Sequence, residues 1–290
     1  MSSLSTPATG GPEPLLLLLD PAARQTDGES VRIAKDVLCG GADVKVAYPE
    51  SPSELDRVLS HRGRRRPVVI GSDLALQRVL QALHRQRELG ADAVGMVPVG
   101  RANELTAARA LGVPGEPVQA ARAVLSGAPR KLDLLVDDGG GVALGGVRIS
   151  GSGARRLVGR TGGWRSLWAK LAAAEQGTVL TKSASETTKS EHSSRLRVEA
   201  DGRLLADVDR PVRVVEVTLP VGEAAGEGVM EIVVRAPGAL VRARAATVSV
   251  VGRGFGYEAD GHPVGPVRTR TWTVHPGAWG LLLPATPPTV

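Results

Sequence analysis

The chain has 290 residues, of which 42% are hydrophobic and 2% aromatic, with a formal net charge of +6 and a sequence pI near 10.0. That length and apolar share suffice for one large core or two medium ones, built mainly from Leu, Val, Ala and Ile. The charge favours anionic surfaces such as phospholipid headgroups, nucleotides or nucleic acid; the single cysteine, Cys39, excludes an intrachain disulfide framework, and no apolar stretch is long enough to cross a bilayer as a helix.

Residues 1–14 are rich in Ser, Thr, Pro and Gly and are expected to be disordered. An alternating pattern follows: a strand at 15–19, a helix at 29–38, a strand at 44–48, a helix at 53–60 capped by Ser51 or Ser53, and a strand at 68–70. Residues 76–89 carry Leu76, Val79, Leu80 and Leu83 on one helical face, and a strand at 93–97 comes next. Helices at 105–111 and 117–125 are ended by Gly112 with Pro114 and by Gly127. Alternating strands and helices imply a largely parallel sheet covered on both sides.

From Leu132 the apolar period changes to two, over 132–136, 146–150, 195–199, 212–219, 229–235, 241–251 and 269–274, which implies antiparallel strands. Asp201-Gly202 and Asp260-Gly261 are hairpin-turn pairs. A helix at 164–174, with Trp164 and Trp168 on one face, interrupts the strands, and a polar loop at 178–194 follows. The expected architecture is therefore α/β plus β: a doubly wound, Rossmann-like domain over 15–137 and an antiparallel β-sandwich over 138–290.

Other patterns point to little chemistry. The basic run from His61 to Arg66 lies between a helix and a strand without an aromatic residue to stack bases, so it reads as a solvated loop and not as a nucleic-acid site. The five histidines are scattered and lack metal-ligand spacing. Gly151-Ser152-Gly153 lacks the last glycine of a dinucleotide fingerprint, and no Gly-x-Ser-x-Gly elbow marks a hydrolase.

Two segments carry more. Pro67-Val68-Val69-Ile70 runs into Gly71-Ser72-Asp73-Leu74-Ala75, and Val97 runs into Pro98-Val99-Gly100-Arg101-Ala102-Asn103-Glu104; each is a strand entering a glycine turn and then a helix, the setting in which backbone N–H groups bind phosphate. In this order they resemble the two nucleotide-binding signatures of the diacylglycerol kinase and sphingosine kinase superfamily, Gly-Gly-Asp-Gly-Thr and Pro-x-Gly-Thr-Gly-Asn-Asp. Asp20-Pro21 resembles the Asn-Pro after the family's first strand, Leu111-Gly112-Val113-Pro114 its Leu-Gly-Ile-Pro, and Leu132-Asp133-Leu134 its Ile-Asp-Leu strand. Glu227-Gly228-Val229 resembles Asp-Gly-Leu, and Asp260-Gly261-His262 stands where the family has Asp-Gly-Glu.

The resemblance implies transfer of the γ-phosphate of magnesium ATP to a lipid hydroxyl. Gly71, Ser72, Gly100, Arg101, Asn103 and Glu104 would bind nucleotide, Asp73 would position magnesium and the attacking hydroxyl, and Asp260 would support the metal. His262 would have to replace the missing glutamate as general base. The departures are specific: Ser72, Leu74 and Ala102 replace glycines, and Ala75 and Arg101 replace threonine hydroxyls. Two readings therefore stand, a lipid kinase and a catalytically impaired member that binds lipid or nucleotide. The expected partners are a lipid and an anionic membrane touched peripherally, and the expected location is cytoplasmic.

Overall fold

The computed structural model describes residues 13–150, 193–221 and 226–285. The helix expected at 164–174, Gly151-Ser152-Gly153, and the expected disorder of 1–14 and loop of 178–194, apart from their last residues, lie outside these. The described chain is a mixed α/β structure in which fourteen strands are hydrogen-bonded into one continuous sheet network. No helix among the described residues is long and apolar enough to cross a membrane.

The first part is parallel. Strands β1 (Leu15–Leu19), β2 (Val44–Ala47), β3 (Arg66–Gly71) and β4 (Ala93–Pro98) lie in the order β2-β1-β3-β4. The leucine run of β1 is apolar throughout because both of its faces are covered: Leu16 and Leu18 join one core cluster, and Leu15, Leu17 and Leu19 the other. Helices α3 (Pro52–Ser60), α4 (Asp73–Gln86) and α5 (Thr106–Ala110) supply Leu55, Leu59, Leu76, Leu80, Leu83 and Ala108 to the first cluster. Helices α1 (Pro21–Thr26), α2 (Gly28–Gly41) and α6 (Pro117–Ser126) supply Ala23, Leu38, Ala120 and Val124 to the second. Helix α1 is absent from the expected elements. Its one-and-a-half turns are too short for a periodic signal, although Asp20 caps it and Pro21 opens it.

The second part is antiparallel: β5 (Ala128–Asp137), β6 (Val142–Ala143), β7 (Gly146–Ser150), β8 (Leu196–Ala200), β9 (Arg203–Ala206), β10 (Val214–Thr218), β11 (Met230–Ala236), β12 (Ala239–Ala245), β13 (Thr247–Ala259) and β14 (His262–Leu283). The run read as one strand at 241–251 is two, β12 and β13. They part at Ala246, where the Asp201 carboxylate accepts the N–H groups of Ala246 and Thr247 at 2.9 and 2.8 Å. Strand β14 is far longer than its expected 269–274 because it crosses between the two parts: its Thr273 pairs with Thr247 of β13, and its Gly280 and Leu281 pair with Ala93 and Val94 of β4.

The few aromatic residues are concentrated. Trp272, Trp279, Tyr257 and Phe255 are the largest fully buried side chains, so aromatic rings enter a core expected to be aliphatic. Tyr257 and Trp272 meet edge to face at 5.1 Å, and the Tyr257 hydroxyl donates to Asp137 Oδ2 at 2.9 Å. The basic run is only in part a solvated loop: His61, Gly63 and Arg64 are exposed, but the other arginines are paired. Arg62 is only 7% exposed and pairs with Glu88 and Asp92, Arg65 pairs with Asp43, and Arg66 with Glu13. Burying a guanidinium is costly unless acceptors pair with it, and the carboxylates that do so come from segments that sequence spacing does not connect to the run.

Candidate active site

Each glycine loop is formed where a parallel strand ends. Gly71 closes β3 against β1: a Cβ there would lie 2.6 Å from the Asp20 Cβ and 3.1 Å from that of Ala75, so the two loops meet only without a side chain. Ser72 is the N-cap of α4, but its hydroxyl turns aside to Asp20 Oδ2 at 3.3 Å.

Asp73 opens α4, and its carboxylate crosses to the next loop. Its oxygens accept the N–H groups of Ala107 and Ala108 at 2.7 and 2.9 Å, at the start of α5, whose N-cap Leu105 has no capping side chain. The Asp73 N–H donates to the Glu104 carbonyl at 2.9 Å. Asp73 thus fastens the two loops together and replaces the missing cap. Burial pushes its carboxyl up to about 6, against the opposing pull of the α5 amides and Arg109.

In the second loop Glu104 folds back on its own turn. Its Oε2 accepts the Arg101 N–H at 2.9 Å, and its N–H donates to the Arg101 carbonyl at 2.8 Å. The same Oε2 lies 3.2 Å from where a Gly100 Cβ would stand. A carboxylate of the chain itself therefore holds the loop amide that an incoming phosphate would seek.

Asp260-Gly261 forms the tight turn of the β13–β14 hairpin, with φ of 48° and 82°. The Asp260 carboxylate points back to the link between β6 and β7, accepting the N–H groups of Leu144, Gly145 and Gly146 at 2.6, 2.9 and 3.1 Å. Burial raises it to about 6, the three amides oppose that rise, and the charge of Asp73 adds to it. His262, which opens β14, is held below its ordinary value, first by burial and then by the Arg78 charge. Gln77 of α4 secures the other side of the link, donating to the Val142 carbonyl at 2.6 Å.

A cavity of about 560 Å3 brings these parts together. Its walls include Ser72, Asp73, Gly100, Arg101, Asn103, Glu104, Asp260 and His262, and Gly71 is not among them. Of the charged wall residues, three carry no expected role: Asp20, Arg78 and Glu258. Arg78 was legible in one respect, because it stands four residues after Leu74 and so shares its helix face. Asp133, in the strand that resembles the family's Ile-Asp-Leu, has a structural part. It is buried away from the cavity wall, where it accepts the Gly228 and Gly277 N–H groups at 3.1 and 2.8 Å and joins three segments of the antiparallel part.

No group of three or more His, Cys, Asp or Glu side chains that could hold a metal ion occurs among the described residues. Magnesium typically uses one or two carboxylates and takes its remaining ligands from water and substrate phosphates. A carboxylate has about four acceptor directions, so Asp73 and Asp260, which spend two and three on amides at hydrogen-bond distance, retain capacity for that mode. The residues present fit that mode and not a protein cage.

Residues 14–136 match the family model of the diacylglycerol kinase catalytic domain. No curated protein matches the chain. A crystal structure of a candidate diacylglycerol kinase from Bacillus anthracis strain Sterne is similar at a TM-score of 0.73 and 14% identity, covering 99% of this chain and 100% of that one. A structure of a diacylglycerol kinase from the same strain is similar at a TM-score of 0.63 and 13% identity, covering 95% and 98%. At these identities the structures show a shared fold. Residues 14–136 thus resemble the diacylglycerol kinase catalytic domain in sequence, and over nearly its whole length the chain shares the fold of these diacylglycerol kinase structures.

Proposed function

We propose that the protein transfers the γ-phosphoryl group of ATP to a hydroxyl of a lipid. One observation carries this reading: a single cavity of about 560 Å3 joins both glycine loops to the Asp260-Gly261 hairpin, although these lie more than 150 residues apart in sequence. We read residues 15–137 and 138–290 as two domains with this cavity as their cleft, the end of β14 returning to complete the first.

Bound magnesium would neutralise charge on the phosphates, with Asp73 and Asp260 as the residues to hold it. The chain's own residues do the remainder. Asp73 fixes the spacing of the two loops through the α5 amides, and with a carboxyl at about 6 it is an anion at neutral pH, able to accept a hydrogen bond from a substrate hydroxyl. His262, held neutral by burial and by Arg78, has an imidazole nitrogen free to take that hydroxyl's proton as the new oxygen–phosphorus bond forms. Arg101 extends from the second loop to the cavity wall and offers phosphate a planar donor group.

The test is transfer of label from γ-labelled magnesium ATP to mixed glycerolipids and sphingoid bases, resolved by chromatography. A labelled lipid that disappears with His262→Ala and Asp73→Asn is the expected result. No labelled product from the wild-type protein with any lipid overturns the proposal.

A further inference from the structure

A second cavity, of about 400 Å3, lies beside the first, between the end of β1, the start of α3 and one face of α4. The two cavities share two wall residues, Asp20 and Arg78. Asp20 is engaged, accepting the Ala22 N–H at 3.1 Å and the Ser72 hydroxyl at 3.3 Å. Arg78 is exposed and forms no ion pair among the described residues. The contrast on the same helix is Arg85, which also lines the second cavity but is bound to both oxygens of Asp56 at 2.8 and 3.0 Å.

The site's other donors are largely spent. Glu104 holds the Arg101 amide, Asp73 those of Ala107 and Ala108, and Asp260 those of Leu144, Gly145 and Gly146. Leu74 and Ala75 add no hydroxyl to the first loop. Anion binding therefore falls to side-chain cations. Arg78 is the one at the neck, within electrostatic reach of His262. A guanidinium without a carboxylate partner, at the join of two cavities, suits a phosphate group in charge and in planar donor geometry.

We propose that Arg78 is a phosphate-binding residue that holds the phosphate of a substrate at the neck between the two cavities. This rests on the site's being a phosphoryl-transfer site, where a single phosphoryl group must be reached from two substrates. The phosphate belongs either to a nucleotide or to a lipid headgroup, and the two are separable by probe.

The experiment is calorimetric titration of the full chain with inorganic tripolyphosphate and, separately, with glycerol 3-phosphate, for wild type, Arg78→Ala, Arg78→Lys and Arg242→Ala. Arg78 is an exposed helix residue, so alanine preserves the fold. Arg242 is an exposed arginine on β12 whose removal changes net charge equally. The expected result is a loss of about ten-fold or more in Arg78→Ala, partial recovery in Arg78→Lys, and a change under about two-fold in Arg242→Ala. Loss confined to tripolyphosphate assigns the neck to nucleotide, and loss confined to glycerol 3-phosphate assigns it to headgroup. The inference is overturned if neither probe binds the wild type, if Arg78→Ala binds both as wild type does, or if Arg242→Ala loses as much. Arg78-dependent binding without any lipid phosphorylation would sink the proposed function and leave Arg78 standing. Lipid phosphorylation with binding and rate indifferent to Arg78 would do the reverse.

Discussion

Substitution of Asp73 should damage the fold as well as any chemistry. Its carboxylate accepts the Ala107 and Ala108 amides at 2.7 and 2.9 Å, and α5 has only five residues and no capping side chain of its own. Hydrogen bonds to a charged group contribute about 1.5–3 kcal/mol each, and an N-cap about 1 kcal/mol, but these overlap at one helix start. The energy that burial costs the ionised carboxylate offsets part of the gain at neutral pH. A net loss of about 1–3 kcal/mol follows for Asp73→Ala. Asp73→Asn retains one acceptor and turns an amide NH2 toward the second N–H, for about 1–2 kcal/mol. Urea unfolding followed by tryptophan fluorescence suits the measurement, because Trp272 and Trp279 are both buried. Both variants unfolding within about 0.5 kcal/mol of wild type would refute the capping role, since that is the scatter of neutral surface substitutions.

Glu104→Gln should strengthen binding of magnesium ATP by about three-fold or more, because it removes the internal anion from the Arg101 amide; unchanged or weaker binding by calorimetry counts against that reading. The carboxyls of Asp73 and Asp260 should titrate near pH 6 in carbon-detected NMR, and titration of both below about pH 4.5 would contradict it. As the folded-state values lie above the ordinary 3.8, the folded chain binds more protons between about pH 4 and 6; the stability from these two groups is complete below about pH 4 and is lost as pH rises through about 6, a slope that Asp73→Asn should halve in pH-dependent melting. Anionic vesicles should retain the protein in flotation assays in a salt-sensitive manner, whereas equal retention on neutral vesicles would mean that apolar contact does the binding. The pairing of Arg62, Arg65 and Arg66 limits what the basic run contributes, so Arg64→Ala alone should change retention little.

The legible parts of the fold are those fixed by near neighbours in sequence. The leucine run of β1, the apolar face of α4 and the two Asp-Gly turns are local patterns, and the structure forms each of them. The rest depends on pairings across long separations. Nothing near Thr269 shows that β14 continues to Leu283, because its last residues are ordered by β4 and β5 from the far side of the chain. Likewise, nothing in the basic run shows that Arg62 turns inward to Glu88. The site divides in the same way. Which residues gather in the cavity was readable from the glycine loops and the hairpin, but the partners of their carboxylates were not.

That division bears on how Asp260 should be understood. Asp201 heads the other Asp-Gly turn, with φ of 46°, and its carboxylate takes the amides of Ala246 and Thr247 much as Asp260 takes those of Leu144, Gly145 and Gly146. Asp201 lines neither the 560 Å3 cavity nor its neighbour. An aspartate with positive φ that clamps an adjoining chain segment is therefore a structural device this protein uses twice, once with no site nearby. The grip of Asp260 needs no catalytic explanation. What sets Asp260 apart is its surroundings: it borders the cavity and feels the charge of Asp73, so its ionisation is coupled to that of the residue joining the two glycine loops. A change at Asp201 should cost stability alone. A change at Asp260 should cost stability and also disturb the cavity it borders, and Asp73→Asn should lower the apparent pKa of Asp260, because it removes the like charge that opposes ionisation there.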